Sequence, residues 1–320
     1  MKSLIIQSTH YNYLLKSYKE YLQITGYAIK TVKAWPIHVQ EFLHYVESKN
    51  IVHITSIEPN HINDFIQHIK QRKNKSRAGA LSSSSINSII NATNAFAKFI
   101  NASGKYMLDL TMHREASNTA EKTILTVQEI KQLYEATFLP YEWDNIAMGQ
   151  RDRAIIALYY GCGLRRGEGV SLNIADINVQ ERLLFVRKAK GNKQRYVPIA
   201  AKHVADISDY IKEGREWFLQ YHHSEWQNKR NGVPLPKKED ETGNALIINQ
   251  FGERFLQPEW RLKYLHKKAA LDKNITLHGL RHSIATHLLQ SGMSIEDIAK
   301  FLGHSSLVST QIYTHIVNEL

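Results

Sequence analysis

The chain has 320 residues, long enough for two domains with separate cores. Its 41 Lys+Arg against 30 Asp+Glu leave a formal charge of +11, which favours a polyanionic partner, nucleic acid before an anionic membrane surface. A single cysteine, Cys162, excludes an intrachain disulfide and fits a reducing cytoplasm, while Leu4–Ile6 is too short for a signal sequence and Ala154–Leu164 too short to span a bilayer, so no membrane anchor is expected.

In chain order, Tyr11, Leu14, Leu15, Tyr18, Tyr21 and Leu22 recur with helical period, and Gly26 is a plausible stop. A second helix is expected over 31–49, with Trp35, Phe42 and Val46 facing a core. Pro59 suits the first position of a third helix that buries Ile62, Phe65, Ile66 and Ile69. After a serine-rich entry, Ile86, Ile89, Ile90, Phe96 and Ile100 mark a fourth. Residues 1–110 hold 13 Lys+Arg against 6 Asp+Glu, so the positive charge is densest in this part. The run Lys70, Arg72, Lys73, Lys75 and Arg77 concentrates it further, followed shortly by four serines. Such a loop suits contacts to DNA phosphates; the competing reading is a solvated basic loop.

Residues 111–123 are polar without an apolar period and read as a linker. Thr126 and Glu129 form a capping pair that opens a helix through Tyr134, and a further helix is expected over 152–160. The segments 183–189 and 195–199, rich in β-branched and aromatic residues, flank Lys190-Gly-Asn-Lys193 and predict a hairpin. Residues 232–244 read as a surface loop, and no internal repeat is present.

Candidate functional residues lie in this second part. His278 and Arg281, three apart in a stretch with helical period, would share a face on which an anion such as phosphate suits both. Ser294 and Asp297 fit a helix start and Gly303 its end, so His304 emerges just past a turn, with Tyr313 nine residues on. Arg165 follows a Gly-X-Gly bend, Glu168 lies where it can orient a neighbouring donor, and Lys190 sits at a hairpin tip. Each residue by itself is equally at home as a wet helix edge, a core tyrosine or a surface cation.

Taken as a set, GLRRGEGVSL, AKGNKQRYVPI, HGLRHSIATHLL, LGHSS and STQIYTH resemble, in order and spacing, the signature boxes of the tyrosine recombinase (phage integrase) family, over residues ~125–320. The basic helical first part resembles that family's core-binding domain by pattern only. The resemblance implies a mainly α protein: a SAM-like helical DNA-binding domain at 1–110, a linker at 111–123, and an α-rich catalytic domain at 124–320 with a small antiparallel sheet, of the DNA breaking-rejoining type, closing as a C-shaped clamp on duplex DNA. It implies a site-specific recombinase that cuts and rejoins strands through a 3′-phosphotyrosyl intermediate on Tyr313, without metal, ATP or other cofactor. Arg165 and Arg281 would hold the nonbridging oxygens of the scissile phosphate, and Lys190 would protonate the leaving 5′ oxygen. His278 would handle the tyrosine proton, His304 would hydrogen-bond the phosphate, and Glu168 would support them. Expected partners are double-stranded DNA sites and a homotetramer on synapsed DNA, with accessory DNA-bending proteins in some systems. The expected setting is the cytoplasm, nucleoid-associated, in a prokaryote.

The first box departs from the family's usual pattern at Gly167 and Gly169, which are expected to loosen the helix start by up to about 1 kcal/mol each. Three rival readings compete with strand exchange. A helix-turn-helix regulator built from 294–315 leaves Arg165, Lys190 and the His278–Arg281 pair unused. A zinc hydrolase on His278 and His282 lacks the glutamate that pattern needs, because Gly279 stands there. A type IB topoisomerase-like relaxing enzyme would use the same chemistry without paired sites.

Overall fold

The computed structural model describes residues 4–74, 78–104, 106–108, 110–116, 123–138, 146–187, 194–220 and 244–303. Lys75, Arg77, Lys190, His304 and Tyr313 lie outside the described residues, as do 117–122 of the expected linker and 232–243 of the expected surface loop. The chain divides into two compact units, Met1–Ala120 and Glu121–Leu320.

The first unit holds four helices: α1 (Thr9–Ile24), α2 (Ile29–Glu47), α3 (Pro59–Gln71) and α4 (Ser83–Ala102). Ser8 and Ser82 cap α1 and α4 by accepting from the N–H groups of Tyr11 and Ser85, which meets donors a helix start leaves open. Gly26 turns the chain at φ 73°, where a side chain would be strained. α2 begins and ends two residues before the expected 31–49 span, and Asn50 takes the chain into a left-handed turn at φ 63°. Tyr11, Tyr18, Phe42, Phe65 and Phe96 are fully buried in the core of this unit.

The described residues between 108 and 116, which read as linker from 111 onward, lie against α4. Asn87, Asn94 and Asn101 recur every seven residues along one face of α4, and each binds the segment with both ends of its amide. The Asn101 amide accepts from the Leu108 N–H at 2.7 Å and donates to its carbonyl at 3.0 Å. Asn94 treats Met112 the same way at 3.0 and 2.9 Å, and Asn87 treats Glu115 at 2.8 and 2.9 Å. A segment outside any helix or strand among the described residues thus has backbone groups satisfied by side chains.

In the second unit, α5 (Val127–Glu135) starts with the expected box: the Thr126 hydroxyl accepts from the Glu129 N–H, and the Glu129 carboxylate accepts from the Thr126 N–H. α6 (Ile146–Ile156) begins earlier than the expected 152 and widens into a π turn at Ala157–Gly161. Gly161 in that turn lies against the His203 ring, 2.3 Å from where a Cβ would sit, so only glycine fits. After α7 (Arg166–Val170) comes an antiparallel sheet in the order β1 (Ile177–Asn178), β2 (Leu183–Val186), β3 (Arg195–Pro198). β2 and β3 are the expected hairpin, with Leu184 opposite Val197 and Val186 opposite Arg195; the two-residue β1 carries too little pattern to announce itself. Then follow α8 (Ala201–Asp209), α9 (Glu259–Lys268), α10 (Leu277–Gln290) and α11 (Ile295–Leu302). Their core includes Tyr159, Leu164, Leu184, Val197, Phe218, Leu262 and Leu280. Cys162 is buried there, and burial pushes its thiol up to about 12 against a smaller opposing effect of Arg195, so it is chemically quiet. The fold is mainly helical with one small antiparallel sheet. No helix among the described residues is long and apolar enough to cross a membrane.

Candidate active site

Three guanidinium groups converge on one buried carboxylate. Glu168, 3% exposed, sits on the short helix α7, whose first turn follows the bend through Gly163 at φ 58°. Its Oε1 accepts from Arg165 Nη1 at 2.7 Å and from Arg195 Nη1 at 3.1 Å. Its Oε2 accepts from the Arg165 backbone N–H at 2.9 Å and from Arg195 Nη2 at 3.0 Å, with Arg281 Nη1 at 3.9 Å. Burial alone would raise the Glu168 carboxyl; hydrogen bonds from Arg195 and Arg165 outweigh it and hold the group below the usual carboxylate range.

The same arginines also grip the end of α11. That helix is capped by Ser294, which accepts from the Asp297 N–H, and is closed by Gly303 in the left-handed conformation at φ 65°. Arg195 Nε donates to the Phe301 carbonyl at 3.3 Å, Arg281 Nη2 to the Leu302 carbonyl at 2.7 Å, and Arg165 Nη2 to the Gly303 carbonyl at 3.0 Å. Three carbonyls that a helix end leaves without intrahelical partners thus each accept from a different cation, which also suits the negative end of the helix dipole. Arg281 further donates to the Gly163 carbonyl at 2.5 Å, which ties α10 to the bend before Arg165.

The structure therefore brings together Arg165, Glu168 and Arg281 from well-separated parts of the chain. On α10 His278 is exposed and Arg281 is 1% exposed, so the two residues expected to share a face differ sharply in depth. The His278 ring meets that of His282 edge-on, with centroids 4.2 Å apart. Arg166, the neighbour that could be mistaken for Arg165, is engaged elsewhere: it pairs with Glu259 at 3.0 Å and donates to the Leu256 carbonyl.

Arg195 was not singled out from the sequence. A signal was present: on a strand, Arg195 falls on the same face as Val197, so its side chain starts toward the buried side. Gly169, read as a weakness of the helix start, has a packing reason. A Cβ there would lie 2.6 Å from the Tyr159 hydroxyl, which donates to the Arg166 carbonyl at 3.2 Å. Around Gly167 there is open space.

In the first unit, the basic segment is partly neutralised. Lys70 pairs with Glu115 at 2.8 Å, and Arg72 Nη2 donates to Glu41 at 3.0 Å, while Lys73 is exposed and forms an antiparallel bridge with Ala80. The expected flexible row of cations is thus anchored at its start.

The phage integrase family profile matches residues 123–319, and the phage integrase N-terminal SAM-like domain profile matches residues 14–101. The chain belongs to the phage integrase family. Its activity is accordingly that of a tyrosine recombinase, an enzyme that cleaves and rejoins DNA at specific sites. Tyrosine recombinase XerD of Bifidobacterium longum is 28% identical over 298 residues, 92% of this chain and 89% of that protein. Tyrosine recombinase XerC of Anoxybacillus flavithermus is 29% identical over 316 residues, 96% and 94% of the two chains. The fold is similar to that of the XerH site-specific recombinase bound to a palindromic difH substrate, with a TM-score of 0.66, 20% identity, and coverage of 95% of this chain and 81% of that one. It is also similar to the Tn1549 transposon integrase in complex with a circular intermediate DNA, with a TM-score of 0.65, 19% identity and 94% coverage of both chains.

Proposed function

We propose that this recombinase exchanges strands by attack of Tyr313 on a phosphodiester held by Arg165 and Arg281. The observation that carries the reading is the charge balance of the pocket among the described residues: Arg165, Arg195 and Arg281 gather on the carboxylate of Glu168. Partly buried positive charge in excess of its counter-charge favours an anionic ligand, and a phosphate offers the paired oxygens a guanidinium fork fits. The carbonyl contacts of Arg165 and Arg281 hold both side chains in the pocket before DNA arrives. The phosphate then competes for their N–H groups as it docks.

In this reading the Tyr313 oxygen bonds to phosphorus while the bond from phosphorus to the 5′ oxygen breaks. His278 takes the tyrosine proton, Lys190 gives a proton to the 5′ oxygen, and His304 hydrogen-bonds the phosphate. Negative charge that builds on the nonbridging oxygens is met by guanidinium groups, the role a metal ion takes in other phosphoryl transfers. One ester replaces another, so religation needs no ATP, and the 3′ end stays on Tyr313 until a 5′ hydroxyl attacks. Bacterial Xer proteins are among the relatives, which supports action on DNA sites in a prokaryotic cytoplasm. Recombination of two sites by this chemistry calls for four active sites, hence a homotetramer on synapsed DNA, with accessory DNA-bending proteins where the site geometry demands them.

The test is a nicked suicide substrate from which the 5′ fragment diffuses away. The intact chain is expected to form a covalent adduct, unaffected by excess EDTA. Tyr313→Phe should form none while keeping its DNA affinity, and Arg165→Ala or Arg281→Ala should slow adduct formation by about 10²-fold or more. Adduct formation by Tyr313→Phe would overturn the assignment.

A further inference from the structure

Arg195 is bound more extensively within the pocket than any role assigned to it requires. Its side chain is 11% exposed, it spans both oxygens of Glu168, and its Nε reaches the Phe301 carbonyl. It is rooted in β3, the second strand of the β2–β3 hairpin. Gly303 is fitted to it: a Cβ on Gly303 would stand 2.8 Å from Arg195 Nη1. Hairpin, α7 and the end of α11 thus meet through one side chain.

We propose that Arg195 is a positioning residue for strand cleavage, acting through Glu168 and the end of α11 to set Arg165 and Arg281. This rests on the reading that Arg165 and Arg281 hold the scissile phosphate. The physical argument concerns how a buried carboxylate divides its charge. With Arg195 in place, two of the four short bonds to Glu168 come from a residue other than the proposed phosphate ligands Arg165 and Arg281. Arg165 therefore keeps a positive potential toward an incoming phosphate while Glu168 still fixes its direction. Without Arg195, Glu168 loses half its donors, pairs more closely with Arg165 and draws Arg281 inward from 3.9 Å. Both phosphate ligands are then partly neutralised and turned. The bond to Phe301 adds a second constraint, because the chain leaving α11 leads on to His304 and Tyr313.

Lysine at 195 keeps the charge but cannot span two carboxylate oxygens and a carbonyl at once. The experiment compares Arg195→Lys, Arg195→Ala and the unaltered chain for DNA affinity and for the single-turnover rate of adduct formation on the suicide substrate. Rates are taken per folded molecule, judged by the thermal transition. Arg195→Lys is expected to bind DNA within about twofold of the unaltered chain and to form adduct on the order of 10- to 100-fold more slowly, since misplacement of a catalytic group by 1 Å costs about that much. Arg195→Ala should be slower still; if it fails to fold, Arg195→Lys decides. Adduct formation by Arg195→Lys at the unaltered rate overturns the inference, as does a loss of affinity equal to the loss of rate. If the unaltered chain forms no adduct, the phosphotyrosyl reading falls and takes this inference with it.

Discussion

At the scale of single residues, two glycines in one helical turn do different work. Gly167 faces open space, whereas Gly169 lets the Tyr159 hydroxyl approach to where a Cβ would otherwise sit, 2.6 Å away. Tyr159 is 2% exposed and cannot swing aside. Gly169→Ala is therefore expected to lower stability by about 1–3 kcal/mol through overpacking. Gly167→Ala should raise it by roughly 0.4–1 kcal/mol by restricting the unfolded chain. Urea denaturation of both variants checks the pair; equal and opposite signs to these would show that Tyr159 is not the reason for Gly169. Sequence reading flagged both positions as departures but could not tell them apart, because the partner that explains Gly169 lies across a bend rather than along the helix. The depth of Arg281 was illegible for a similar reason. Helical spacing puts it on the side of His278, but partners from distant parts of the chain, the carbonyls of Gly163 and Leu302 and the Glu168 carboxylate among them, make burial of a guanidinium tolerable.

Among elements, local signals were the most legible. The capping box at Thr126–Glu129, the Ser294 cap on Asp297, Pro59 at a helix start and the β2–β3 hairpin are short-range patterns, and each forms where the pattern stands. The segment after α4 was not legible, because its backbone is satisfied by asparagines seven residues apart rather than by helix or strand. Asn94→Ala removes both bonds to Met112, whose side chain is buried beside them. A drop in stability of about 1–3 kcal/mol is expected, since backbone groups in a half-buried place are left without partners. Faster hydrogen exchange at the Met112 amide is the accompanying sign; an unchanged amide there would mean that packing, not the amide ladder, holds the segment. Polar composition gave no hint of this ladder: the asparagines of α4 are the partners of residues 111–116, which read as linker.

For the whole molecule, the surplus of charge and the family agree on DNA as partner, and the structure shows which cations of the 70–77 run already have acidic partners. Lys70 and Arg72 already face Glu115 and Glu41, so in the proposed DNA interface they would release fewer counterions than their number suggests. Replacing Lys73, Lys75 and Arg77 by alanine is expected to flatten the slope of log affinity against log salt by roughly 0.9 for each phosphate no longer neutralised, and Lys70→Ala or Arg72→Ala by clearly less. An unchanged slope in the triple variant would remove this loop from the DNA interface. The boxes that made the catalytic half readable are scattered over some 150 residues of sequence, from Arg165 to Tyr313. The convergence of Arg165, Arg195 and Arg281 on Glu168 is a property of the folded unit, and Arg195 stands out only there.

The most direct test of strand exchange by this chain is to identify the residue left attached to DNA. A suicide duplex is incubated with the unaltered protein, the adduct digested with protease and nuclease, and the nucleotide-bearing peptide sequenced by mass spectrometry. The expected result is a 3′-phosphonucleotide on Tyr313 within STQIYTH. A nucleotide on any other side chain, or a 5′ linkage, would contradict the account.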